Sequence, residues 1–225
     1  MTGHALVVAD GDVAERRTLD ARWAGWADGI DLVVAADAGA LRAESLGFRP
    51  DLVVGDADSL TEADVARLRA AGIELELAST DKDESDTELA VRAALSRGAQ
   101  RLTIVGALGG RRFDHALANV SLLALPELAA VPSVLLDASS RITLLRSGPA
   151  SPGEAQLDLH GPAGETVTLL PWGGDVRGVT TTGLRYALDD ETLRGGPSRG
   201  LSNVRLDGDA SVTIADGALL VIEVG

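Results

Sequence analysis

Pro50-Asp51-Leu52-Val53-Val54-Gly55-Asp56-Ala57-Asp58-Ser59 decides how the first part of this chain folds. Residues 52–54 form an apolar run rich in Val, too short for a helix and suited to a buried strand. Gly55 breaks the run, and Asp56 and Asp58 follow at once. Just past the end of a strand, such a pair faces the crevice where open α/β sheets bind ligands. Two carboxylates that close do not both stay ionised cheaply unless a cation lies between them. Asp and Gly are also ordinary turn residues, so a hard-metal site and an acidic turn both fit this stretch taken alone.

The pattern repeats on either side. Strands are predicted at residues 5–9, 32–36, 73–77, 101–105 and 133–137. Helical spacing covers 16–27, a short segment ending at Leu46, then 62–71, 86–97 and 115–125. Leu19, Trp23 and Trp26 share a helical face and read as core. Ser85 and Glu88 have capping-box spacing ahead of the 86–97 helix, while Gly72 and Gly98 stand where helices close. Strands alternating with helices imply an α/β fold, with a mainly parallel sheet covered on both faces. After about Arg141 the helical periodicity ends. Short runs at 156–159, 165–170, 176–182, 204–206, 211–214 and 219–224 lie between Gly, Pro and Asp turns, as in an all-β sandwich or barrel. Gly148 to Gly153, with Pro149 and Pro152, reads as a turn or linker at its edge. The expected organisation is an α/β domain over residues 1–140 and a smaller all-β domain over 141–225.

Composition narrows the function. The chain of 225 residues carries a net charge of −14, which argues against a nucleic-acid partner. Residues 1–140 hold 13 basic and 23 acidic residues against 7 and 11 in the remainder, so the acidity gathers where the Asp pair lies. Cysteine is absent, which excludes disulfides, thiolate metal sites and a cysteine nucleophile. No apolar run reaches the roughly 18–20 residues of a membrane span. The start of the sequence lacks the pattern of a secretory signal, so a cytoplasmic protein without membrane partners is the expectation. Rare residue types are more pointed. Lys82 is the one lysine, Tyr186 the one tyrosine, and Asn119 and Asn203 the two asparagines. In a chain built on Ala, Arg, Leu and Asp, such residues mark places where substitutes do not serve.

Acidic residues follow several of the predicted strands: Asp10 and Asp12, Asp37, Asp56 and Asp58, Asp81 and Asp83, with Asp114 a loop later. In a parallel sheet those ends share one edge, so the carboxylates converge there. Oxygen donors without His or Cys suit Mg²⁺, which binds through a few carboxylates together with substrate phosphates. Lys82 and either Arg111 or Arg112 supply positive charge for phosphoryl oxygens. Neither a Walker A loop nor a Gly-x-Gly-x-x-Gly fingerprint occurs, and Gly106-Ala107-Leu108-Gly109-Gly110 is the stretch suited to close backbone approach to phosphate. Asp10 and Asp12 also read as plain turn residues, and Lys82 as a solvated charge. His115 fits a helix cap as well as a site, whereas His4 and His160 read as structural.

These residues carry a family resemblance. Ala36-Asp37-Ala38-Gly39-Ala40, Pro50-Asp51, Gly55-Asp56-Ala57-Asp58-Ser59, Asp81-Lys82-Asp83, Asp86-Thr87-Glu88 and Gly109-Gly110-Arg111 with Asp114-His115 and Asn119 resemble, in order, the motifs of thiamine pyrophosphokinases. Gly183-Leu184-Arg185-Tyr186 and Ser198 with Gly200-Leu201-Ser202-Asn203 resemble that family's thiamine-binding segment. The resemblance implies an α/β catalytic domain, a C-terminal β-sandwich and a homodimer with its site at the subunit interface. It implies transfer of pyrophosphate from ATP to the hydroxyl of thiamine, with Mg²⁺, giving thiamine diphosphate and AMP. On that reading Asp56, Asp58 and Asp86 hold the metal, Lys82 and an arginine neutralise charge, and Asp83 or Asp86 accepts the proton. Asp37, Gly39, Thr87, Gly109, Gly110, Arg111, Arg112, Asp114, His115 and Asn119 fall to the nucleotide; Tyr186, Ser202 and Asn203 fall to thiamine. Two departures stand out. Ala38-Gly39 replaces the family's usual Gly-Gly, and an extra residue in Arg111-Arg112-Phe113 leaves open which arginine takes the family's role. The alternatives from other classes are a different Mg²⁺-dependent transferase acting on a nucleotide diphosphate, and a non-catalytic thiamine or nucleotide sensor.

Overall fold

The computed structural model describes residues 3–56, 58–77, 83–148 and 153–225. Asp81 and Lys82 lie outside the described residues, as do Pro149 and Pro152 of the expected turn or linker. The chain divides into two compact units, Met1–Ala138 and Ser139–Gly225.

In the first unit, β1 (His4–Val8), β2 (Ile30–Ala36), β3 (Leu52–Gly55), β4 (Glu74–Leu77), β5 (Arg101–Val105) and β6 (Ser133–Leu136) lie in the order β6-β5-β1-β2-β3-β4. Every pairing among them is parallel. The connecting helices are α1 (Arg16–Arg22), α2 (Gly39–Ser45), α3 (Glu62–Ala70), α4 (Asp86–Ser96) and α5 (Phe113–Leu122). Strand β1 is central and buried along its whole length, so its sequence after His4 is an unbroken apolar run rather than an alternation. His4 itself is buried, with Nε2 on Thr103 Oγ1 and Nδ1 facing the Asp28 carbonyl, each at 2.9 Å.

The core explains the helices. Leu19, Trp23, Ala43 and Leu46 pack on Leu6, Val8 and Val33 from one side. Helix α1 ends at Arg22, short of the 16–27 expected, because Gly25 at φ +74° turns the chain. Both tryptophans still reach the core, and their indole N–H groups donate to the Asp137 carbonyl at 2.7 Å and to Asp20 Oδ1 at 2.8 Å. Helix α4 packs on β1, β2 and β3 through buried Ala90, Val91 and Ala94, small side chains that let helix and sheet approach closely. The Ser85 hydroxyl accepts from the Glu88 N–H, while the Glu88 carboxylate pairs with Arg92. From β1 the chain steps to β2, β3 and β4 on one side and later to β5 and β6 on the other. The C-terminal ends of β1 and β5 therefore flank the point where the strand order reverses.

The second unit is all β: β7 (Ser140–Ser147), β8 (Ala155–Leu159), β9 (Thr166–Pro171), β10 (Val176–Thr182), β11 (Glu191–Leu193), β12 (Asn203–Val204), β13 (Ala210–Ile214) and β14 (Gly217–Val224). Antiparallel strands run β12-β9-β14-β7 in one sheet and β11-β10-β13-β8 in the other. Alternate residues such as Val167 and Leu169, Val212 and Ile214, and Leu219 and Val221 point into a shared core, the arrangement of a sandwich. Strand β7 was not expected, since its Arg141, Thr143 and Arg146 interrupt the apolar signal. It pairs along its length with β14.

A buried ion pair lies within this unit. Arg205 and Glu223 are each 3 % exposed, and the guanidinium donates to Glu223 Oε2 at 2.7 Å and to the His160 carbonyl at 2.6 Å. The His160 N–H donates to the same carboxylate oxygen at 2.6 Å, so His160 serves through its backbone. Removing one partner strands the other charge in a dry interior. Glu223→Ala should cost about 3–5 kcal/mol in urea unfolding; a loss below about 0.5 kcal/mol would mean that the pair holds nothing in place.

Candidate active site

The site is built at the C-terminal ends of the first unit's strands. Asp37 follows β2 in the left-handed region at φ +47°, and its N–H donates to the Val54 carbonyl at 2.9 Å, continuing the ladder between β2 and β3. That conformation directs the Asp37 carboxylate across the end of β3, against Gly55. A Cβ on Gly55 would stand 1.9 Å from Asp37 Oδ1, and Gly55 has φ +137°. Both the space and the backbone angle thus require glycine there. Asp37 is 5 % exposed, a buried carboxylate seated where a side chain would otherwise be. Asp56 and Asp58 come next, tied within their turn by the Asp58 N–H donating to Asp56 Oδ1 at 3.1 Å. One carboxylate oxygen from each of Asp37, Asp56 and Asp58 lies within 4.8 Å of the others.

Two further loops meet at the switch point. The Gly11 N–H donates to the Gly106 carbonyl at 2.9 Å. A Cβ on Gly11 would stand 2.3 Å from that same oxygen, one on Gly106 2.5 Å from the Ala9 carbonyl, and one on Gly109 2.7 Å from the Asp12 carbonyl. The glycine run therefore packs backbone against backbone on the loop after β1, and this contact is what demands Gly106 and Gly109. Gly110 faces open space. Buried Asn119 donates from Nδ2 to the Ala107 carbonyl at 2.8 Å, holding the glycine loop to α5. Gly39 serves packing as well: a Cβ there would stand 2.2 Å from the Val8 carbonyl, so the start of α2 lies tight on β1.

Between these loops opens a cleft of about 500 Å³. Among the expected site residues, Asp37, Asp58, Asp86, Thr87, Gly109, Gly110, Arg111, Arg112, His115 and Asn119 line it. Asp56 joins through the carboxylate group, whereas Asp83, Asp114 and Gly39 do not line the cleft. Asp86 is not part of the carboxylate trio that the geometry forms among the described residues; its third member is Asp37. Lys82 lies outside the described residues.

Asp10 and Ser59 also line the cleft, and neither is among the expected site residues. Asp10 followed a predicted strand, which was the available signal, but it also read as a plain turn residue. Partial burial raises the Asp10 pKa above the usual carboxylate value, and the negative charges of Asp58 and Asp86 push the same way. Arg42 and the Ser59 hydroxyl oppose them. The two arginines differ. Arg112 forks onto Asp114, with Nε to Oδ1 at 2.9 Å and a terminal nitrogen to Oδ2 at 2.6 Å, and this holds Asp114 far below the usual carboxylate range. Arg111 makes no ion pair among the described residues.

In the second unit Tyr186 is 55 % exposed. Its backbone N–H donates to Asn203 Oδ1 at 2.9 Å, and Asn203 Nδ2 donates to the Tyr186 carbonyl at 2.8 Å. Buried Asn203 thus clamps the tyrosine's backbone from both sides. Ser202, at φ +57°, donates its N–H to Thr168 Oγ1 at 3.1 Å. Gly200 allows this segment to approach β9, since a Cβ there would stand 2.2 Å from the Leu169 carbonyl.

A protein-family model described as the catalytic domain of thiamin pyrophosphokinase matches residues 25–132, and one described as its vitamin B1 binding domain matches residues 154–219. A thiamine pyrophosphokinase of Bacillus subtilis is 27 % identical over 198 residues, covering 88 % of this chain and 89 % of its own. Thiamine pyrophosphokinase 1 of Oryza sativa is 29 % identical over 184 residues, covering 79 % of this chain and 66 % of its own. The crystal structure of the Bacillus subtilis thiamine pyrophosphokinase superposes with a TM-score of 0.81 at 25 % identity, covering 99 % of this chain and 98 % of that one.

Gly55→Ala isolates the constraint at the centre of the cleft. The added methyl should displace the Asp37 carboxylate and lower the thermal midpoint by several degrees, checked by calorimetry. A Gly55→Ala protein with unchanged stability would mean that the close approach of Asp37 is incidental.

Proposed function

The chain belongs to the thiamin pyrophosphokinase family, and from that premise we propose that it transfers the terminal pyrophosphoryl group of ATP to the primary hydroxyl of thiamine. The products are thiamine diphosphate and AMP. The observation that carries this reading is the cleft itself, which gathers carboxylates, two arginines and a backbone-lined glycine loop at the switch point of a parallel sheet. That is equipment for a polyphosphate and its metal ion.

The residues present fit Mg²⁺. The Asp37, Asp56 and Asp58 donor set is oxygen alone, and Gly55 leaves the cradle in which Asp37 is seated. These three would hold the ion, with Asp86 beside them on the cleft wall. When bound, Mg²⁺ neutralises phosphoryl charge and orients the polyphosphate chain.

In the reaction, the thiamine oxygen bonds to the β-phosphorus while the bond from that phosphorus to the bridging α–β oxygen breaks, and AMP departs with that oxygen. The hydroxyl proton passes to a carboxylate, and Asp86, which lines the cleft, is better placed than Asp83. Arg111, Arg112 and Lys82 offset the charge that develops on the phosphoryl oxygens. Arg112 must loosen its fork on Asp114 to do so, whereas Arg111 has no such bond to give up among the described residues. Asn119 and the paired glycine loops hold the backbone that faces the phosphates.

Thiamine recognition falls to the second unit. Tyr186 offers an exposed ring to the flat pyrimidine or the cationic thiazolium, and such contacts contribute about 0.5–2 kcal/mol. Asn203 serves this step by fixing the Tyr186 backbone. A homodimer with a shared site, a cytoplasmic location and no nucleic-acid partner complete the reading. Among the described residues no helix is long and apolar enough to cross a membrane.

Incubation with ATP, Mg²⁺ and thiamine, followed by separation of the nucleotides, tests the proposal. AMP and thiamine diphosphate should form in equal amounts. Asp58→Asn should reduce turnover at least a hundredfold, and Tyr186→Ala should raise the KM for thiamine much more than that for ATP. Formation of ADP, or binding of both substrates without turnover, would contradict it.

A further inference from the structure

We propose that Ser59 is a positioning residue, whose hydroxyl pins the segment bearing Asp56 and Asp58 to the start of α2 and so sets the spacing of the carboxylate trio for a divalent cation. The inference rests on the reading of that trio as the metal site. It concerns how the trio is held.

Strand β3 fixes the chain only as far as Gly55. Beyond it Asp56 is half-buried, while Asp58 and Ser59 are exposed, so packing does not immobilise them. The Asp58 N–H bond to Asp56 shapes the turn internally and leaves its place relative to Asp37 unset. Ser59 supplies that link. The Ala38 N–H, next in sequence to Asp37, donates to Ser59 Oγ at 3.1 Å across 21 residues of sequence. Ala38 is the N-cap residue of α2 and has no capping side chain of its own. An N–H at a helix start needs an acceptor, and here it comes from the neighbouring loop. One bond thus both completes the start of α2 and joins the loop of Asp37 to the loop of Asp58.

Asp10, in the loop after β1, lines the same cleft as Ser59. A serine oxygen accepts hydrogen bonds, and here it accepts from the Ala38 N–H. On the far side the chain is anchored again, by buried Leu60 and by the reciprocal Thr61–Asp64 capping box that begins α3. Ser59 lies between this anchor and the metal-facing turn. Mg²⁺ tolerates little departure from octahedral geometry, so a turn free to drift would weaken binding without disturbing the fold. The hydroxyl is the acceptor for the Ala38 N–H: Ser59→Thr keeps it and Ser59→Ala removes it.

Mn²⁺ binding, followed by the electron paramagnetic resonance of the free ion, provides the test on the full-length protein. Ser59→Ala should raise the Mn²⁺ dissociation constant about tenfold, as loss of a supporting partner commonly does, and Ser59→Thr should stay within about twofold of the parent. In steady-state assays the metal concentration for half-maximal rate should rise in step, with the KM for thiamine unchanged. Equal Mn²⁺ affinity in Ser59→Ala and the parent, while Asp58→Asn loses binding, would overturn the positioning role and leave the metal site standing. If Asp58→Asn bound Mn²⁺ as tightly as the parent, the metal-site reading itself would fail, and the role of Ser59 with it. A fall in thermal midpoint with unchanged affinity would also overturn the proposal, since Ser59 would then support the fold alone.

Discussion

The Asp37 carboxylate is seated in the space that a side chain on Gly55 would occupy, and the catalytic unit is arranged around that contact. A buried carboxylate at the end of a central strand is costly unless its charge is met. The left-handed backbone at Asp37 and the missing side chain at Gly55 bring it to Asp56 and Asp58. The donor set the three make together is oxygen alone. The fold contributes the place: β2 and β3 are parallel neighbours, so their ends lie side by side without any long loop to position them.

The same logic governs the other wall of the cleft. Strands β1 and β5 are also parallel neighbours, and the loops that follow them touch backbone to backbone through Gly11, Gly106 and Gly109. Side chains there would wedge the loops apart. The glycines therefore act by letting protein approach protein, and Asn119 locks the result through the Ala107 carbonyl. In the second unit Asn203 does the equivalent for Tyr186. Both rare asparagines bond backbone groups.

Much of this was legible from the chain alone, for identifiable reasons. The parallel strands are buried on both faces and read as plain apolar runs, so their ends, and with them Asp37, Asp56 and Asp58, were located from the sequence. Elements whose polar residues break that signal were missed, β7 above all, and α1 was read too long because Trp26 continues its apolar face past the turn at Gly25. Within the site, residue types were easier to read than their partners. Nothing in the local sequence says that Asp37 rather than Asp86 completes the trio, that Arg112 folds back on Asp114, or that Ser59 reaches Ala38. Each depends on which strand ends are neighbours, a property of topology rather than of spacing along the chain.

The central claim is that the carboxylates of Asp37, Asp56 and Asp58 form one cation site at the mouth of the parallel sheet. A crystal of the protein grown with Mn²⁺ and a non-hydrolysable ATP analogue tests it directly through anomalous scattering. The account predicts an anomalous peak within about 2.0–2.3 Å of carboxylate oxygens from this trio, the range of hard-cation ligation, with phosphate oxygens completing its shell. A peak held elsewhere, or nucleotide bound in the cleft with no ion against Asp56 and Asp58, would contradict it.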